Sequence, residues 1–269
     1  MGMTTQNIWF QTSVTRLTDP QNQRVWSLIV SLFGDLAQQP GDRISGGALT
    51  RIIQPMGIKP EAMRVALHRL RKDGWIESTR SGRASVHFLT DFGRAQSAKV
   101  TPRIYNRAPE IPKDWHILIA EDGPGIHTLD DLLLAENYIS IGRTVALGSG
   151  PLPKNCDDLV AFEATARSVP DWLKTRLCPP DLILACKDLR DAAKSVTQNR
   201  PQDAHPTAWE IAALRTLLIH RWRRVVLRHP GLPRAFFPSG WAGPDCRFEV
   251  FRLLDTLSFP TLDALNKLD

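Results

Sequence analysis

Between residues 59 and 83 stand seven basic side chains, Lys59, Arg64, Arg69, Arg71, Lys72, Arg80 and Arg83, against the acidic Glu61, Asp73 and Glu77. This stretch therefore holds +4 of the chain's formal net charge of +6. Clustered Lys and Arg suit a nucleic-acid backbone, because each contact with a phosphate releases condensed counterions. The spacing predicts a helix that starts at Pro60, a good first-turn residue, and ends at Asp73 before Gly74. On it Met63, Ala66, Leu67 and Leu70 share one face. Glu61, Val65, His68 and Lys72 point the opposite way, with Arg64 and Arg71 on one flank and Arg69 on the other. A plain solvated face explains the charges but not an outward valine. Val65 can touch a thymine methyl while Arg64 reads guanine in a major groove. The runs WIES and ASVHFL follow as two strands of a hairpin. Its tip, Arg80-Ser81-Gly82-Arg83, would lie along the DNA backbone or in the minor groove.

A second basic group, His220, Arg221, Arg223, Arg224 and Arg228, falls on a helix whose apolar stripe is Ile211, Leu214, Leu218, Trp222 and Val225, with Arg221 and Arg228 to one side of that stripe. His220, Arg223 and Arg224 turn away from that stripe, so their guanidiniums could hold phosphates through charge-assisted hydrogen bonds. Salt bridges to acidic residues explain the same group. No nucleophile with a partner base, no HExxH and no GxSxG is present, so no catalytic residue is assigned. Asp130-Asp131 and Asp157-Asp158 fit helix or loop starts. Cys156, Cys178, Cys186 and Cys246 lack metal-ligand or disulfide spacing and read as buried thiols, which leaves no metal site. The glycines of EDGPG (121–125) and GSGP (148–151) read as turns.

These residues need elements to hold them. Residues 1–20 read as an arm of little periodicity. Trp26, Ile29, Val30, Phe33 and Leu36 mark a core helix closed by Pro40-Gly41. Ser45 caps a short second helix carrying Leu49, Ile52 and Ile53. Three helices and then a basic hairpin make a winged helix-turn-helix over 21–110. Thr90 caps a further short helix, and RIYNRAPEIPKDW reads as a connector. Residues 111–200 mix strands (WHILIA, LVAFEATA, TVALGSG) with helices (TLDDLLLAENY, PDWLKTRL), a small α+β, ferredoxin-like domain. Residues 201–269 read as a helical C-terminal domain, with a last helix near Phe248 to Leu257. The fold class is thus α+β, mainly helical. A chain of 269 residues with 42% hydrophobic and 23% charged residues suits several globular units. No apolar run approaches the roughly 20 residues of a membrane span, and no secretory signal is legible. The chain reads as cytoplasmic, with no membrane partner.

The segments SLFGD (31–35), PMGIKPEAMRVALHRLRKDGWIE (55–77), SGR (81–83), LTDFGR (89–94) and RIY (103–105) resemble the N-terminal domain of the PaaX family, regulators of phenylacetic acid degradation. LLIHRWRRVVLRHPGLPRAFFPSGW (217–241) is similar to that family's C-terminal segment. The middle departs from it: ENYISIGRTVALGSG (136–150) keeps only Ile141, Gly142, Val145 and Leu147 near the family's places. The resemblance implies a dimeric repressor that binds a double-stranded operator and is released by phenylacetyl-coenzyme A or a related aryl-acyl thioester. His220, Arg223, Arg224 and Arg228 are the positions where such an effector would sit, and no other cofactor is implied. A basic RNA- or protein-binding module and an enzyme built on the central domain are the competing readings.

Overall fold

The computed structural model describes residues 4–19, 21, 24–81, 84–109, 115–134, 138–150, 152, 154, 156–165, 167–228 and 231–267. It is an α+β protein, mainly helical, with two small sheets. The chain divides into two compact units, Met1–Arg107 with Cys186–Val226 and Gly243–Asp269, and Ala108–Ala185 with Leu227–Ala242.

The first unit opens with α1 (Thr5–Leu17) and α2 (Val25–Leu36). Next come the short β1 (Ile44–Ser45), α3 (Gly46–Ile53), α4 (Pro60–Lys72), the hairpin β2 (Ile76–Ser81) and β3 (Ala84–Leu89), and α5 (Asp91–Tyr105). The order in its sheet is β1-β3-β2, antiparallel throughout. The stretch expected as a loose arm is instead a capped helix: the Thr4 side chain accepts from the Asn7 N–H, and Trp9, Phe10, Val14 and Leu17 are buried. Those four recur at helical spacing, so burial of one face stabilises α1. RIY, expected to begin a connector, continues α5 through Pro102. Packing overrides the proline there, since Ile104 is buried and its carbonyl accepts from Trp222 Nε1 at 2.8 Å.

In the second unit, β4 (Trp115–Ala120), α6 (Pro124–Leu134), β5 (Tyr138–Ser140), β6 (Val145–Ser149) and β7 (Leu159–Glu163) build an antiparallel sheet ordered β5-β6-β4-β7. Leu118, Ala120, Leu129, Tyr138 and Ala146 form the core with α6. The opposite face packs on Leu173 and Leu177 of α7 (Asp171–Leu177) and on Phe236 and Phe237. Of the two glycine runs read as turns, Asp122-Gly123 and Gly150, at φ 88°, do bend the chain, while Gly125 and Gly148 lie inside regular elements. EDGPG leads straight into α6, and Gly148 sits inside β6 beneath the Tyr138 ring, where a Cβ would come within 2.2 Å of a ring carbon. His116 and Tyr138 hydrogen-bond in the buried layer beside it.

The remaining helices are α8 (Pro180–Gln198), α9 (Ala208–Val226), α10 (Gly243–Thr256) and α11 (Leu262–Asn266). Here the expected boundaries need correction, because 201–269 is not a domain of its own. Residues Ala212 to His220 of α9 are buried all round, and a helix buried on every side needs neighbours on every side. α1, α2, α3 and α5 supply them together with α10 and α11. α8, which the strand-and-helix reading of 111–200 does not contain, crosses the boundary in sequence: 180–185 belong to the second unit and 186–198 to the first.

Candidate nucleic-acid interface

α4 forms because its sequence obeys the helical period. Pro60 occupies the first turn, Gly74 ends the helix at φ 72°, and Met63, Ala66, Leu67 and Leu70 are buried as the spacing predicts. Val65, on the opposite side, is 70% exposed. α3 is capped by Ser45, whose Oγ accepts from the Ala48 N–H at 3.1 Å. A 3-10 turn (Gln54–Met56) and Gly57 at φ 75° then redirect the chain into α4. At the far end the hairpin is tied to α4: the Trp75 N–H donates to the Leu70 carbonyl at 2.9 Å, and Thr90 Oγ1 donates to the Gly74 carbonyl at 2.6 Å. Gly93 permits this closure, since a Cβ there would lie 2.2 Å from the Trp75 carbonyl oxygen.

Lys59, Arg64, His68, Arg69, Arg71 and Lys72 are all exposed along α4, and Arg80 is exposed on β2. Arg83 falls outside the described residues. Arg64 pairs with Glu61 at 2.8 Å, both side chains about 70% exposed. Such an exposed pair is worth little and yields readily to a phosphate or a base edge. Arg69 is held more firmly, 3.4 Å from Asp73 and 5.2 Å above the Trp26 ring, so it belongs to the flank where α4 meets α2. Sequence reasoning missed Arg43, exposed just before β1 with its guanidinium 4.3 Å above the Phe88 ring of β3. No periodic pattern announces it, because only the pairing of the two-residue β1 with β3 brings it to the hairpin. Buried among these strands, His87 hydrogen-bonds Ser78 Oγ at 2.7 Å. Burial holds its imidazole below the usual range, and the nearby Arg71 adds to the effect.

The model of the PaaX-like protein family matches residues 24–93, from just before α2 into α5, and that of the PaaX-like protein C-terminal domain matches 183–259. The chain belongs to the PaaX-like family. It is 29% identical, over 252 residues, to the transcriptional repressor PaaX of Escherichia coli (strain K12), an alignment that covers 82% of this chain and 76% of that one. All nine residues expected at the DNA fall inside the first PaaX-like segment.

The four residues expected at an effector lie in the PaaX-like C-terminal segment and are engaged within the protein. His220 is buried beside Ser31, 3.3 Å from its Oγ, and Arg223 donates to the same hydroxyl at 3.0 Å. Arg224 pairs with Asp19 at 3.1 Å, and in the second unit Arg228 pairs with Asp181 at 2.8 Å. Arg221 donates to the Arg16 carbonyl at 3.1 Å. Of the two explanations open for this group, the pairings favour internal salt bridges and hydrogen bonds. The residues that matter most for the architecture went unnoticed in the sequence. Asp35 of α2 receives Arg215 of α9 through two hydrogen bonds of 2.9 Å, and Tyr105 donates to it at 2.6 Å. The Arg215 and Asp35 side chains are only 8% and 1% exposed. Desolvation and the Asp35 carboxylate push the Tyr105 hydroxyl far above its ordinary range, which keeps it a donor. The available signal was a carboxylate and a guanidinium inside otherwise apolar helical runs.

Proposed function

We propose that this chain is a transcriptional repressor that binds duplex DNA through a winged helix made of α2, α3, α4 and the β1-β3-β2 sheet. α4 enters the major groove, and the β2–β3 hairpin lies along the flanking backbone. One observation carries this reading: α4 exposes Val65 between Arg64 and His68 while its opposite face is buried. An α-helix with its side chains is about 10–12 Å across, which suits a groove about 12 Å wide, and the 13 residues of α4 extend about 20 Å along it. The hairpin tied to its C-terminus supplies a second basic contact, and the named function of the Escherichia coli relative supports the same role. The strand order β5-β6-β4-β7 of the second unit supports reading it as a ferredoxin-like domain. The repressor acts as a two-fold dimer on two half-sites spaced by whole helical turns. Following the resemblance of its sequence, it governs an aromatic-acid catabolic operon and is released by an aryl-acyl-coenzyme A thioester.

The test is a titration of duplex from upstream of its own gene. Arg64→Ala costs about 1–3 kcal/mol on the specific site and relaxes preference at one base pair, whereas Lys72→Ala weakens all duplexes alike. If both variants bind like the parent, α4 is not the reading helix.

A further inference from the structure

Away from α4, one face of α10 carries Phe248, Phe251, Arg252 and Asp255, the i, i+3, i+4, i+7 positions of a helical stripe. With Arg107 and Arg247 they line a cavity of about 230 Å³ within the first unit, the space of roughly seven waters. Three guanidiniums converge there against the carboxylate of Asp255, with Glu249 alongside. Arg107 is fixed on Asp255 and stacked 4.9 Å from the Phe251 ring. Arg247 donates to the Asn106 carbonyl and lies 5.0 Å from the Trp222 ring. Burial lowers its affinity for the proton, with no carboxylate among the causes. Arg252 approaches Glu249 to 2.9 Å, yet its buried Nε has no hydrogen-bond partner among the described residues. Beside them Phe248 is 64% exposed. A partly buried guanidinium is costly without an anion, and an exposed phenyl ring beside it offers a stacking surface.

We propose that this cavity binds a small planar anion, a single ring bearing a carboxylate or phosphate, with the acid group on Arg247 and Arg252 and the ring against Phe248. The site is independent of the DNA-binding reading, and either can fail without the other. Excess positive charge selects the anion, and the ring selects against inorganic anions alone.

Calorimetric titration of the full chain with benzoate, phenyl phosphate, benzamide and inorganic phosphate tests it. Benzoate or phenyl phosphate binds one per chain, and benzamide and inorganic phosphate bind about tenfold more weakly or not at all. Which of the two ring anions binds more tightly identifies the acid group. Phe248→Ala, at an exposed position that the fold does not need, weakens the ring anion about tenfold and leaves inorganic phosphate unchanged. Arg252→Gln weakens both, and Arg247→Gln does the same where circular dichroism verifies its fold. The proposal is overturned if the parent binds neither ring anion, or if Phe248→Ala and Arg252→Gln bind them as the parent does.

Discussion

Replacing Asp35 by Ala should unfold the first unit more readily than any exposed substitution on α4. The Arg215 side chain is 8% exposed and donates two hydrogen bonds from α9 to the Asp35 carboxylate and a third to the Leu257 carbonyl at 3.0 Å. Without Asp35 a buried cation loses its counter-ion, and Tyr105 loses the acceptor for its hydroxyl. Removing one partner of a buried pair costs about 3–5 kcal/mol, a large part of the roughly 5–15 kcal/mol that stabilises a typical fold. Replacing both partners by apolar residues of similar volume costs far less, because no charge is then stranded. Urea denaturation followed by circular dichroism should therefore rank the parent as most stable, Asp35→Leu/Arg215→Met close behind, and Asp35→Ala far below. If Asp35→Ala lies within about 1 kcal/mol of the parent, as an exposed pair would, or if the double variant is as poor as the single one, the pair does not join α2 to α9 as described.

Gly148→Ala should destabilise the second unit strongly or prevent its folding, because the Tyr138 ring occupies the place of the new methyl. Gly148→Ala/Tyr138→Leu should recover much of the loss, read as melting temperature. Burial depresses the imidazole of His87, and likewise that of His116. Both stay neutral in the folded protein while the unfolded chain takes up protons below about pH 6.5. Stability is then fully present above that pH and declines as pH falls towards the depressed folded values; denaturation midpoints between pH 7.5 and 5 should show this decline, and His87→Gln should flatten it. Val65→Glu should leave the melting temperature unchanged while abolishing operator binding in a mobility-shift assay, since the side chain is exposed and faces the proposed groove.

The parts of the fold legible in the sequence are those in which one element's own period decides burial. α4 follows its pattern residue by residue, as do the Ser45 and Thr90 caps and the strands β3 and β4, whereas β2 runs on through Thr79, Arg80 and Ser81, which were expected in the turn and tip of the hairpin. The nine residues proposed at the DNA are drawn from that pattern and the hairpin. What was misread depends on partners distant in sequence. Trp9, Phe10, Val14 and Leu17 do recur at helical spacing, but only neighbours such as Trp209, edge-on to Phe10 at 5.5 Å, make that stripe a core. His220 lies on the polar side of the stripe from Ile211 to Val225, and the sequence offers no hint that Ser31 of α2 closes over it. Charged residues that fold inward, Asp35 and Arg215, are invisible to any pattern that equates charge with solvent.

The central claim is that α4 reads duplex DNA, and fluorescence anisotropy tests it most directly. Duplex from upstream of the chain's own gene, a scrambled duplex of equal length and an RNA of the same sequence are titrated at two salt concentrations. Tight binding of the first duplex is predicted, weaker by about 10³-fold or more for the scrambled duplex, with a steep loss of affinity on adding salt and with preference for the first duplex lost in Arg64→Ala/Val65→Glu. Equal affinity for all three nucleic acids, or a double variant that discriminates as the parent does, would contradict it.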